Sequence, residues 1–110
     1  MKRVIKIKLD YLHGPIWKEK IDLSTGISYT GIHVIDNDET LQKLDIAAME
    51  LYSSFYHFDS PEAFEFHMDK ERGRQLLRIV EAILKRLDEI NDGTFVVEDE
   101  ETVRLMEKVA

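Results

Sequence analysis

The strongest constraint in this sequence is a pair of apolar stripes at helical spacing. Leu41, Leu44, Ala48, Leu51, Tyr52 and Phe55 recur mostly three or four residues apart, and Leu76, Leu77, Val80, Ile83, Leu84, Leu87 and Ile90 do the same. Residues so spaced share one face of an α-helix, and that face must be buried against something. The first stripe predicts a helix over about 38–57, opened by Asp36-Asn37-Asp38-Glu39, a cluster of short polar caps and first-turn acids. His57-Phe58-Asp59-Ser60-Pro61 is the expected stop. The second stripe predicts a helix from near Asp69 to Ile90, its start delayed a few residues by Gly73 and its end set by Asn91-Asp92-Gly93. Residues 62–68, with Phe64 and Phe66, form a connector between the two.

A different period governs the beginning of the chain. Ile5, Ile7 and Leu9 alternate with Lys6 and Lys8, the pattern of a half-buried strand, with Val4 falling on the lysine face. Gly14-Pro15 interrupts it, Ile16 to Leu23 forms a second extended segment, and Ser24-Thr25-Gly26 turns the chain into Ile27-Ser28-Tyr29 as a hairpin. Thr30-Gly31 breaks the chain again before Ile32 to Ile35. Thr94 to Val97 is β-rich, and the acids after it precede a short helix with Val103, Met106 and Val109 on one face. Two amphipathic helices need a surface to cover, and a small sheet needs a cover. The expected fold is α+β: a small antiparallel sheet of three or four strands packed against two long antiparallel helices, in one domain over residues 1–110.

Charge carries the functional information. Fifteen basic residues stand against 22 acidic ones, for a net charge of −7. A nucleic-acid backbone has to be met by positive potential, so direct nucleic-acid binding is not expected. The charge is uneven: +4 over residues 1–20, −7 over 36–65, +3 over 66–87 and −6 over 88–110. Helix caps account for one or two acids in each acidic run, yet seven acids and no base stand between Asp88 and Glu101. The surplus serves either as a solvated surface that keeps a small protein soluble or as a face that meets a basic partner. Cysteine is absent, which excludes disulfides, a thiolate metal site and a thiol nucleophile. No apolar run approaches the ~20 residues of a membrane span, and the first eight residues intersperse charge with aliphatics, unlike an export signal. A cytoplasmic protein with no membrane contact is expected.

No constellation for catalysis emerges. His13, His33, His57 and His67 lack metal-ligand spacing, so no metal or other cofactor is expected. Ser24, Ser53 and Ser54 sit in no glycine-flanked elbow, and the glycines form no phosphate-cradling loop. The chain is read as a non-enzyme. Tyr52, Phe55, Tyr56, Phe58, Phe64 and Phe66 crowd together without interleaved arginines, which favours core closure over base stacking. Tyrosine beside acids also suits a partner surface, leaving Tyr52 and Tyr56 as candidate anchors. Trp17, beside Pro15 and Ile16, is expected to be a packing anchor.

Several phrases carry a family resemblance. Leu9-Asp10-Tyr11-Leu12-His13-Gly14-Pro15-Ile16-Trp17, Tyr29-Thr30-Gly31-Ile32, Ile35-Asp36-Asn37-Asp38, Leu51-Tyr52-Ser53-Ser54 and the stretch from Arg86 to Asp99 resemble immunity proteins of contact-dependent growth inhibition and related polymorphic toxin systems. The resemblance spans roughly residues 9–99 and includes no catalytic signature. It implies a cytoplasmic, non-enzymatic protein that binds one toxin domain, often a nuclease, and blocks its active site. An acidic inhibitor complements the positive surface with which a nuclease holds phosphate. Asp36, Asp38, Glu39, Glu98, Asp99, Glu100 and Glu101, with Tyr52 and Tyr56, are the expected partner-binding residues. A small acidic adaptor for another basic protein is the competing expectation, and a metal-dependent hydrolase using histidine and carboxylates stands third.

Overall fold

The computed structural model describes residues 2–60, 63–66 and 68–110. In chain order its elements are β1 (Arg3–Ile7), β2 (Lys20–Ile21), β3 (Ser28–Tyr29), α1 (His33–Asp36), α2 (Glu39–Ser53), β4 (Tyr56–Ser60), β5 (Ala63–Phe66), α3 (Lys70–Ile90), β6 (Phe95–Asp99) and α4 (Thr102–Val109). Helix and strand are mixed, as the two periods in the sequence require.

The sheet differs from the expected one. Three separate two-stranded ladders replace a single antiparallel sheet of three or four strands: β1 with β6, β2 with β3, and β4 with β5. The first is parallel, with Arg3 opposite Phe95 and Ile7 opposite Asp99. A parallel neighbour demands a long crossover, which here includes both long helices. The other edge of β1 is met by a single antiparallel bridge between Ile7 and Ile16. There the Lys8 N–H donates to the Pro15 carbonyl (2.9 Å) and the Trp17 N–H to the Lys6 carbonyl (3.0 Å). Of the extended segment expected over 16–23, only that bridge and β2 are formed.

The core lies on one side of this pair. Ile5, Ile7 and Phe95 are buried together with Leu41 and Ala48 of α2, Leu76, Val80, Ile83 and Leu87 of α3, and Leu105 of α4. Val4 is exposed, as its place on the lysine face predicts. Contacts at both ends join the long helices: Arg86 late in α3 reaches Asp38 at the start of α2, and Arg72 early in α3 lies 5.1 Å over Phe55, just past the end of α2.

Two further features depart from expectation, the end of α2 and the buried face of α4. Helix α2 stops at Ser53, and the expected helix end and connector are the hairpin β4–β5, with Tyr56 opposite Phe66. Aromatics at every second position (Tyr56 and Phe58, Phe64 and Phe66) are a strand period that the helical stripe overshadowed. Pro61, Glu62 and His67 lie outside the described residues, as do the side chains of His57, Phe58, Asp59, Phe64, Glu65 and Phe66. Residues 33–36 form one helical turn, α1. Helix α3 starts at Lys70, capped by Asp69 as expected, and Gly73 inside it makes room for α4: a Cβ there would come within 2.7 Å of a Val109 methyl. Helix α4 buries Leu105 and Val109, while Val103 and Met106 face solvent. No helix among the described residues is long and apolar enough to cross a membrane.

Leu87 is fully buried in the shared core, so Leu87→Ala is expected to lower unfolding free energy by about 2–5 kcal/mol in denaturant melts. A loss below about 0.5 kcal/mol would place the stripe at the surface instead.

Candidate functional site

The starts of the two acidic segments lie near each other, where the end of α3 meets the start of α2. Asp38 caps α2, accepting the Leu41 N–H at 2.8 Å. Its other oxygen accepts from Arg86 Nε (3.0 Å) and Nη2 (2.6 Å), which fastens the end of α3 to the start of α2. Arg86 also lies 3.6 Å from Glu89. The Asp38 side chain is nearly buried, and the Arg86 hydrogen bonds hold its carboxyl below the usual carboxylate range despite that burial. Asp36 is engaged too, accepting from the Thr30 N–H, the Thr30 hydroxyl and the Gly31 N–H at 2.8–2.9 Å. Glu39, next to Asp38 in the chain, and Asp88, Glu89 and Asp92, which follow Arg86, are exposed. Asp92 turns its carboxylate to the Thr94 N–H and hydroxyl, which lowers its pKa and keeps it charged. Segments 36–39 and 88–92 contain no base of their own.

The second expected run, Glu98 to Glu101, sits at the opposite end of β6 and is deployed differently. Glu98 is exposed but stands in register with Lys6. Asp99 Oδ1 accepts from the Glu101 N–H (2.9 Å) and the Thr102 N–H (3.1 Å), closing the first turn of α4. Glu100 is half-buried beside a cavity of about 270 Å³ lined also by Lys6, Lys8, Trp17 and Glu19. Glu101 is buried, accepts the Leu9 N–H at 3.2 Å and lies 3.6 Å from Arg104; burial pushes its pKa up. The lysines of the basic first segment thus stand against this run.

Tyr52 and Tyr56 are half-buried members of an aromatic cluster. Their hydroxyls are 3.2 Å apart and their rings 5.6 Å apart, edge to face, with Tyr11 packed 5.0 Å from Tyr56. Burial raises the pKa of the Tyr52 hydroxyl, with its bond to Tyr56 acting in the same direction. Tyr52 belongs to the last turn of α2 and Glu39 to the first, about 20 Å apart at 1.5 Å per residue. The structure does not bring the tyrosines together with Asp36, Asp38 and Glu39.

Asp45 was not singled out by sequence, because it interrupts no motif. It is 5% exposed, accepts the Ile16 N–H at 2.9 Å and lies 3.4 Å from Lys18, which also donates to Gln42 at 3.1 Å. Burial raises its pKa over the opposing effects of Ile16 and Lys18. A Cβ at Gly14 would overlap this carboxylate, so only glycine fits there. Trp17 is stacked 4.1 Å from His13, whose Nδ1 donates to the Gly14 carbonyl at 2.6 Å. No group of three or more histidine or carboxylate side chains that could hold a metal gathers among the described residues. Comparison with protein-family models, with curated proteins and with solved structures yields no match.

Two outcomes follow from these groups. Asp38, with its lowered pKa, contributes stability above the ordinary carboxylate value that is lost as pH falls through the lowered one. Asp45 and Glu101 act oppositely: they take up a proton in the fold before the unfolded chain does, which favours the fold as pH falls. Urea melts are therefore expected to show stability held or rising from neutral to mildly acidic pH and collapsing below about pH 4. Asp38→Asn should flatten that acid limb; an unchanged limb would assign it to other groups. Chelator treatment should leave the melting temperature unchanged, whereas one tightly held ion per chain in metal analysis would contradict the non-enzyme expectation.

Proposed function

We propose that this protein is an immunity protein of the polymorphic-toxin kind, which binds a cognate toxin domain and occludes its active site. The partner is a basic ribonuclease or another nuclease, and on this reading the protein acts in the cytoplasm and performs no catalysis of its own. The observation that supports the proposal is the end where Asp38 and Arg86 join the start of α2 to the end of α3, with Glu39 and Asp88 exposed in those same two chain segments. A surface that holds phosphate is lined with lysine and arginine, and exposed carboxylates meet the same cations. Such complementarity steers encounter and suppresses wrong partners more than it adds raw affinity. The family resemblance over residues 9–99 supports the same reading.

The structure moves the electrostatic emphasis. Asp36, Asp38, Asp99 and Glu101 have intramolecular partners, and Glu98 and Glu100 stand beside lysines. Glu39 and the α3 end are therefore the residues to test. Glu39→Lys with Asp88→Lys should change stability by no more than about 1 kcal/mol, since both positions are exposed. With the nuclease domain encoded beside its gene, the double variant should associate roughly tenfold more slowly, with a shallower salt dependence, and should protect cells less well. Glu71→Lys with Glu107→Lys makes the same charge change elsewhere and should leave association close to wild type. Equal kinetics for all three proteins would contradict the acidic-end mechanism, and stable capture of a different basic protein would favour an adaptor.

A further inference from the structure

The two faces of the β1–β6 pair are composed differently. Ile5, Ile7 and Phe95 are buried under the helices. The opposite face carries Val4, Lys6 and Lys8 along β1 and its continuation, and Val96, Glu98 and Glu100 along β6 and its continuation. Val4 is 51% exposed and Val96 41%, and Lys6, Lys8 and Glu98 are exposed. The parallel register sets Val4 beside Val96 and Lys6 beside Glu98, and one further step sets Lys8 beside Glu100. Trp17 borders the lysine row, with Lys8 Nζ 5.6 Å from its ring, and its indole Nε1 is buried without a hydrogen-bond partner among the described residues. Parallel strands occur almost only in sheets covered on both faces. Here one face is uncovered.

We propose that a second copy of this chain covers it. The face is a row of lysines beside a row of glutamates, headed by a pair of valines. A two-fold axis running along the strands, midway between β1 and β6, lays β1 of each copy over β6 of the other. Lys6 and Lys8 then oppose Glu98 and Glu100 of the second copy, and Val4 opposes its Val96. An isologous contact of this kind needs one self-complementary surface, which this sequence supplies. A partner of single charge sign is not matched by it, in contrast to the acidic end, and the proposal is independent of the toxin reading. Five residues of strand across the two overlapping chain segments span about 16 Å by 10 Å. That is below the ~800 Å² per partner of a standard interface, so the dimer is weak, concentration-dependent and, being held by exposed ion pairs, sensitive to salt.

Sedimentation equilibrium of the full chain, without any toxin, tests this. The weight-average mass of the wild type should climb from 12.9 kDa toward twice that value with concentration and fall back in high salt. Lys6→Glu with Lys8→Glu gives a face of one sign, and Glu98→Lys with Glu100→Lys gives the other. Each variant alone should stay monomeric, and their equimolar mixture should recover the dimer. Val4→Asp, at an exposed position, should also abolish association and serves if a reversed variant fails to fold by circular dichroism. A wild type that is monomeric throughout, variants that dimerise alone, or a mixture that stays monomeric would each overturn the proposal.

Discussion

The rest of the structure depends on the hydrogen bonding of β1 along both of its edges. Its parallel ladder with β6 joins the first residues of the chain to residues 95–99 and forces the long helices into the connection between them. A parallel pair cannot be closed by a tight turn, and two amphipathic helices are what the connection has available to cover the face of Ile5, Ile7 and Phe95. The second edge of β1 is satisfied by residues 15–17, and that segment is held by a helix side chain. Asp45 of α2 accepts the Ile16 N–H, and Gly14 leaves the room for it. One buried carboxylate therefore ties the helix layer to the sheet edge, at a desolvation cost that Ile16 and Lys18 partly offset.

The same accounting applies to the other acids. A carboxylate is at once an acceptor for backbone amides and a charge for the outside, and this chain uses its surplus in both ways. Asp38 caps α2 and holds Arg86, Asp36 fixes the Thr30–Gly31 loop, Asp99 closes α4, and Glu101 holds the Leu9 amide. The Asp38–Arg86 and Glu101–Leu9 roles are set by partners far away in sequence, those of Asp36 and Asp99 by near neighbours. On the proposed reading, Glu39 and Asp88 at the ends of α2 and α3 are left to face the toxin, while Lys6 and Lys8 of the basic first segment stand beside Glu98 and Glu100.

This division explains what was legible from sequence. Both helical stripes and the Ile5–Ile7–Leu9 alternation were, because burial imposes a period on neighbouring residues; the fully buried members of α3 all belong to the expected stripe. The direction of β6 was not, since a strand period carries no sign for its partner. Gly73 reads as a weak helix position until Val109 is seen against it, and Val103 and Met106 fit a helical face as well as Leu105 and Val109 do. The aromatic alternation at 56–58 and 64–66 was present but competed with a longer helical stripe. For the site, net charge by segment located the acids without revealing that Lys6 would stand beside Glu98, ninety-two positions further along the chain.

The central claim is that the protein engages a basic toxin through the end where α2 begins and α3 stops. Backbone amide chemical shifts of the labelled protein, followed during titration with the proposed nuclease partner, test this directly. The account expects the largest perturbations at Glu39 to Gln42 and Asp88 to Asp92, with the Glu98–Glu101 amides nearly unmoved. Perturbations centred on Glu98 to Glu101 or on the tyrosine cluster, with none at the acidic end, would contradict it.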